Sequence, residues 1–164
     1  MDYQKDDLII RSAENKDVTN LLKLIKELAE YENLSHLVIA DEILLSRSLF
    51  GKNSSVNALI AEFKGETAGM AIYFFNFSTF LGRPGIYLED LFIRPQFRGL
   101  NIGKTLLIEL VKIAKQKNCG RVEWAVLDWN LPAIEFYKKL GAEPVNDWTI
   151  FRLTEDKINE LASQ

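Results

Sequence analysis

Residues 94–104 read Arg94-Pro95-Gln96-Phe97-Arg98-Gly99-Leu100-Asn101-Ile102-Gly103-Lys104. They join an apolar, strand-like run over 86–93 to an amphipathic run at helical spacing over 104–117. A strand, a short Arg/Gly loop and a helix start make an anion cradle. The first N–H groups of a helix have no internal partner and sit at the positive end of its dipole. A diphosphate docks there when the neighbouring side chains are small or turned away. Neither a G-x-G-x-x-G fingerprint nor a Walker pattern is present, so the loop alone is a weak signal. A tight turn with close helix packing would use Gly99 and Gly103 equally well.

Around this segment the chain has the make-up of one globular domain, residues 1–164. Apolar residues make up 48% and charged residues 26%, both ordinary for a soluble protein. The net charge is −3 without a Lys/Arg cluster, which argues against nucleic acid as a partner and suits a cationic substrate. One cysteine, Cys119, excludes an internal disulfide, and with one histidine it argues against a Cys/His metal site. Cys119 reads as a structural thiol, and His36 as a loop residue. The first seven residues are acidic and carry no hydrophobic signal region, and no apolar run reaches membrane-spanning length. These features lead to the expectation of a cytoplasmic protein with no membrane partner.

Leu8-Ile9-Ile10 reads as a first strand. Asp17 caps a helix with apolar Val18, Leu21, Leu22, Ile25, Leu28 and Ala29, running to about Tyr31. Asp41 caps a second, short helix through Leu44, Leu45 and Leu49. Residues 56–63 and 67–77 alternate as strands about a Lys64-Gly65-Glu66 turn, an antiparallel hairpin. Residues 78–85 read as a loop, and 86–93 as a centre strand buried on both faces. A helix over 103–117, a strand over 121–127, a helix opened by Asn130 and Pro132 and closed by Gly141, and a last strand over 148–153 complete the reading. The order is β-α-α-β-β-β-α-β-α-β, a mixed α/β domain.

The context of the Arg/Gly loop carries a family resemblance. Residues 98–103, Arg98-Gly99-Leu100-Asn101-Ile102-Gly103, precede a helix, and Trp129-Asn130-Leu131-Pro132-Ala133-Ile134-Glu135-Phe136-Tyr137-Lys138-Lys139-Leu140-Gly141-Ala142 follows downstream. Together they resemble the GNAT superfamily of acyl-CoA-dependent N-acetyltransferases, whose signature is Arg/Gln-x-x-Gly-x-Gly/Ala before a helix. Asn101 stands where that family usually has Gly, and Asn tolerates left-handed backbone better than most residues. The resemblance implies a central, mostly antiparallel sheet with one splayed parallel strand pair, flanked by helices. It implies acetyl-CoA as cosubstrate and no metal. It places the diphosphate on amides from Gly99 to Lys104, that is Gly99, Leu100, Asn101, Ile102, Gly103 and Lys104, with Arg98 beside them. Leu91, Phe92, Ile93 and Asn130 would contact the pantetheine arm.

Three stretches, Leu24-Ile25-Lys26-Glu27-Leu28-Ala29-Glu30-Tyr31-Glu32, Tyr87-Leu88-Glu89-Asp90 and Asp128-Trp129-Asn130, resemble the spermidine/spermine N-acetyltransferase branch. Residues 78–85 and Gly120-Arg121-Val122-Glu123-Trp124 are more similar to its relatives that act on thialysine, ornithine or other small diamines. The likeness spans residues 8–153. Ser78 and Phe80 stand where the polyamine enzymes carry an acidic residue and a Trp, which removes one ammonium anchor. A homodimer is implied by the branch.

The chemistry asks for particular residues. An alkylammonium has a pKa near ~10, so holding the free amine at pH 7 costs roughly 3.4 units, or about 4.6 kcal/mol, without a base. Glu89, a carboxylate inside an apolar strand, is the candidate base through an ordered water; the resemblance gives it that work and a share in holding the amine. A strand-end carboxylate paired with Lys or Arg is the other reading. A backbone N–H near Leu91 serves the oxyanion. The resemblance puts Tyr137 where it protonates the departing thiolate, although an amphipathic helix also buries a Tyr for packing. It makes Tyr31 and Glu32 substrate contacts, against an ordinary polar helix end. Glu123 and Trp124 line the amine pocket from the neighbouring strand or pack in the core. Two other readings stand beside an amine N-acetyltransferase: a non-catalytic CoA sensor, which needs the loop but not Glu89 with Tyr137, and a protein or peptide N-acetyltransferase, which needs a wide groove.

Overall fold

The computed structural model describes residues 7–164; residues 1–6, most of the leading acidic segment, lie outside the described residues. The chain falls into two compact units, one ending at Ala125 and one spanning Val126–Gln164.

In the first unit β1 (Leu8–Ser12) leads into helices α1 (Val18–Tyr31) and α2 (Glu42–Phe50). Strands β2 (Val56–Phe63), β3 (Glu66–Ser78) and β4 (Arg83–Ile93) follow, then α3 (Ile102–Gln116) and β5 (Val122–Trp124). The five strands form one sheet in sequence order. The β1–β2, β2–β3 and β3–β4 pairs are antiparallel, whereas β4 and β5 are parallel. A parallel pair needs a crossover, which α3 supplies. This is the mixed α/β sheet that the resemblance implied. Lys64 and Gly65 have φ of 51° and 82°, the left-handed pair that a two-residue hairpin turn demands.

Helices cover both faces of the sheet. Leu21 and Leu24 of α1 and Leu49 of α2 pack on Ala58, Ile60, Met70, Ile72 and Phe92. Alternation turns Leu59 and Ala71 to the opposite face, which α3 covers with the buried Ile102, Leu106 and Leu110. Each large aliphatic side chain so buried is worth about 1.5–3 kcal/mol of transfer free energy. Gly69 is required by crowding, because a Cβ there would lie 2.4 Å from the Phe92 carbonyl oxygen.

Two arginines staple helix to sheet. Arg94, just past β4, grips the Glu27 carboxylate through Nε at 2.8 Å and Nη2 at 2.8 Å, and donates to the Thr67 carbonyl oxygen at 2.8 Å. This anchors the second half of α1, the half that ends at Tyr31. Arg11 on β1 grips Asp17 with both terminal nitrogens, at 2.7 and 2.8 Å, and Glu62 on β2 at 2.6 Å. Asp17 also accepts the Glu14 N–H at 2.7 Å.

Several boundaries differ from the sequence reading. The loop expected over 78–85 is a tip of four residues, because β3 and β4 stay paired out to Ser78 and Arg83. The strand expected over 121–127 pairs only at Val122–Trp124. In the second unit, α4 (Leu131–Lys139) matches expectation, but 148–153 is not a strand. A strand exists only through a ladder, and this stretch forms none, leaving Trp148, Ile150, Phe151 and Leu153 exposed. Helix α5 (Glu155–Ala162) follows, with Thr154 as N-cap and Glu155 and Asp156 in its first turn. A Thr before two acidic residues is a helix-start signal of the ordinary kind.

Asp17 is only 4% exposed, and the Arg11 guanidinium holds its carboxyl below the usual carboxylate range. Asp17→Asn is expected to lower unfolding free energy by about 3 kcal/mol at pH 7, measured by urea denaturation. A depressed carboxyl stabilises the fold above its unfolded pKa of ~3.9 and loses that contribution as pH falls through the folded value. The gap between wild type and variant should therefore be full above about pH 4 and close in acid.

Candidate active site

The loop after β4 folds as the Arg/Gly pattern requires. A short 3-10 turn, Pro95–Phe97, is followed by extended Arg98 and then Gly99 at φ 79°. A Cβ at Gly99 would meet nothing within 4 Å, so conformation, not crowding, requires glycine here. Asn101 is left-handed at φ 58°, ψ 11°, the geometry for which an Asn substitutes for Gly. It is the N-cap of α3, yet its side chain makes no capping bond. Its carbonyl oxygen accepts the Thr105 N–H at 2.9 Å and the Thr105 hydroxyl at 3.1 Å. The amides of Ile102, Gly103 and Lys104 thus leave the helix end with no intrahelical acceptor. The Ile102 side chain is buried and Lys104 is exposed, so the donors sit on a firm base beside a positive charge.

Strand β4 carries a bulge. Leu88 pairs with Tyr73 and Asp90 with Ile72, which leaves Glu89 as the extra residue. The ladder to β5 ends at Leu88 and Trp124, so β4 continues past the end of its parallel neighbour. The Arg94 N–H donates to the Ala68 carbonyl oxygen at 2.9 Å, which sets the phase. Phe92 spends its backbone groups on β3, opposite Met70, whereas Leu91 and Ile93 turn theirs to the other edge. Of the three β4 residues expected to meet a pantetheine arm, two thus present backbone groups outward. The Ile93 carbonyl oxygen accepts Arg98 Nε at 3.0 Å.

Carboxylates gather at the bulge. Glu89 is exposed and Asp90 half-buried. Burial first, then the charges of Glu89 and Glu32, push the Asp90 carboxyl up to about 6. Glu32, at the C-cap of α1, is also raised by burial. Tyr31 lies beside it with its ring under the Arg98 guanidinium, 4.7 Å from the centroid. Sequence reasoning chose Glu32 and Glu89 and missed Asp90. The signal was there, since Asp90 interrupts the same apolar strand. Glu123 is placed differently from expectation: it pairs with Arg121 at 2.9 Å and accepts the Asn76 amide at 3.2 Å, so much of its charge is spent. Trp124 is half-buried on β5 opposite Leu88.

In the second unit Asn130 is buried at 9% exposure and caps α4, its Oδ1 accepting the Ala133 N–H at 3.4 Å. Tyr137 is half-buried on α4, its ring 5.2 Å from that of Phe136. Among the described residues no group of three or more His, Cys, Asp or Glu is arranged to hold a metal ion. No helix there is long and apolar enough to cross a membrane.

Comparison with known proteins identifies the family. Residues 19–142 match the model of the acetyltransferase (GNAT) family. The chain is 38% identical to thialysine N-epsilon-acetyltransferase of Bos taurus, over 96% of this chain and 98% of that protein. It is 30% identical to an L-ornithine N5-acetyltransferase of Arabidopsis thaliana, over 93% and 86%. A solved integron cassette protein from the mobile metagenome of V. cholerae superposes with a TM-score of 0.81 at 27% identity, covering 96% of this chain and 99% of that one. The chain belongs to the GNAT family and is an acyltransferase.

The half-buried Asp90 has a measurable cost. Its folded-state value of about 6 lies above the ordinary 3.8, so the fold holds this proton more tightly than the unfolded chain does. The contribution of Asp90 to wild-type stability should fall as pH rises from about 4 to 6 and level off above. Asp90→Asn is expected to be more stable than wild type above pH 6 by about 1–2 kcal/mol, with the difference vanishing near pH 4. Urea denaturation at pH 4, 5, 6 and 7 checks both the sign and the window.

Proposed function

We propose that this GNAT-family chain transfers the acetyl group of acetyl-CoA to a primary amine of a small diamine, polyamine or basic amino acid, by direct attack within a ternary complex. The observation that carries the reading is the continuity of one short segment. Amides without an intrahelical acceptor at the start of α3 lie a few residues beyond an outward-facing β4 edge, and that edge begins at a bulge ringed by carboxylates. One end suits a diphosphate, the middle an extended thioester arm and the far end an ammonium. Relatives named for acting on thialysine and ornithine support the amine class.

Acetyl-CoA supplies the activated acyl group. The residues fit it on the geometry of the chain itself: left-handed Gly99 and Asn101 open the loop, and the amides of Gly99 to Lys104, with Arg98, hold the diphosphate. Leu91 and Ile93 offer backbone groups to the pantetheine arm, and Asn130 adds a further polar contact. Glu32, Glu89 and Asp90 attract the cationic amine, with Tyr31 and Trp124 as its aromatic walls and Glu123 as a weaker charge. Glu89 takes the ammonium proton through water, and the outward N–H of Leu91 meets the charge that develops on the acyl oxygen. Tyr137 returns a proton to the departing sulfur. Amine and thioester react directly once held together, so no acyl-enzyme is required.

The same proposal takes residues 1–164 as one acetyltransferase domain. It includes a homodimer, supported by the exposed apolar Val145, Trp148, Ile150, Phe151 and Leu153. It includes a cytoplasmic setting, supported by a single cysteine and hence no internal disulfide.

The test is thiol release from acetyl-CoA with thialysine, ornithine, lysine, spermidine and putrescine. Release is expected with the short amines; tight CoA binding without release on any amine would make the chain a sensor, and release only with peptides would make it a protein acetyltransferase. Tyr137→Phe is expected to lower kcat about 100-fold with CoA affinity retained, and Glu89→Gln to move the rate-controlling pKa. An unchanged rate and pH profile in both variants would remove these two assignments.

A further inference from the structure

Arg98 joins two parts of the molecule that lie far apart in sequence. Its Nε is committed to the Ile93 carbonyl oxygen at 3.0 Å, at the end of the outward-facing β4 edge. Its guanidinium lies 4.7 Å from the Tyr31 ring centroid and 5.8 Å from that of Phe92. Phe92 is buried in the core beneath α1 and α2, so it is a fixed wall. Tyr31 is different: it is the last residue of α1 and 37% exposed. The two terminal amino groups of Arg98 make no hydrogen bond within the described residues, and the next residue is Gly99 of the anion loop. One side chain therefore stacks on an aromatic ring beside the carboxylate cluster while its remaining donors are available beside the helix start.

We propose that Arg98 is a positioning residue that couples the diphosphate end of the site to the amine end through the ring of Tyr31. The inference rests on the reading above and adds a route of communication to it. A guanidinium is planar, stacks on a ring face and still presents a fork of N–H donors, which an ammonium cannot do. An anion that takes up the fork fixes the guanidinium plane, and a fixed plane fixes Tyr31. In the reverse direction, Tyr31 holds Arg98 ready for the anion. The two ends share one immobilisation cost, so whichever ligand arrives first leaves less for the second. Linkage makes the effect reciprocal.

The consequence is that Tyr31, which lies outside the anion loop, contributes to CoA affinity. Calorimetric titration with CoA is the test, on wild type, Tyr31→Phe, Tyr31→Leu, Arg98→Lys and the double variant Arg98→Lys/Tyr31→Leu. Loss of an exposed cation–ring contact is expected to weaken CoA binding about two- to fivefold in Tyr31→Leu. Tyr31→Phe keeps the ring face and should bind CoA more tightly than Tyr31→Leu does. Arg98→Lys should weaken binding at least as much as Tyr31→Leu, and the double variant should be no weaker than Arg98→Lys alone. Both positions are exposed, and they probe the contact from its two sides. CoA affinity that is indifferent to Tyr31→Leu, or single-variant losses that multiply in the double variant, would overturn the coupling while leaving the acetyl-transfer reading intact. A wild-type chain that binds no CoA would overturn both.

Discussion

Upstream of Glu89, strand β4 faces β5 with its even-numbered residues: the Ile86 N–H donates to the Arg121 carbonyl oxygen, and the Pro84 carbonyl oxygen accepts the Gly120 N–H. Downstream, Leu91 and Ile93 face that edge instead. One inserted residue reverses the phase, and it does so where β5 stops following β4. Backbone donors and acceptors that a sheet would consume internally are left without a strand partner among the described residues, and of these the Ile93 carbonyl oxygen is taken by Arg98. A regular β4 would put Asp90 and Phe92 at the edge, with the burial pattern inverted. The site depends on this irregularity, because the anion loop and the carboxylate cluster are its two continuations along the same chain.

The carboxylates make the site costly. Three acidic groups near one another, one of them half-buried and raised to about 6, oppose folding at neutral pH. The rest of the unit offsets this with neutralised charges: Arg94 holds Glu27 and a main-chain carbonyl, and Arg11 holds both Asp17 and Glu62. The Arg94 staple also fixes the segment of α1 from which Tyr31 and Glu32 extend. Stability and the proposed amine site are thus joined at one helix end, and an ammonium held there would relieve the repulsion among these carboxylates.

Much of this was legible in advance where a local pattern has a local cause. Helical spacing located α1, α3 and α4 to within a residue or two, and the Lys64-Gly65 pair announced its hairpin. Asn101 was expected to tolerate left-handed backbone, and it is left-handed. Other features had no local cause to read. The hydrogen bond from the Asn76 amide to Glu123 joins residues 47 positions apart. The apolar alternation over 148–153 has the look of a strand, but a strand needs a second chain segment alongside, and the pattern says nothing of whether one is there.

The amino-acid sequence by itself determined most of the element types, the left-handed turns of the loop before α3 and the family, because these follow from periodicity, glycine placement and short motifs. Tertiary structure alone decided which groups act together. The bulge assigned outward backbone groups to Leu91 and Ile93 and withheld those of Phe92. Packing gathered Glu32 with Glu89 and Asp90, and it laid Arg98 across Tyr31. Register and long-range stacking arise from strands and helices meeting, and no single segment of the chain encodes a meeting.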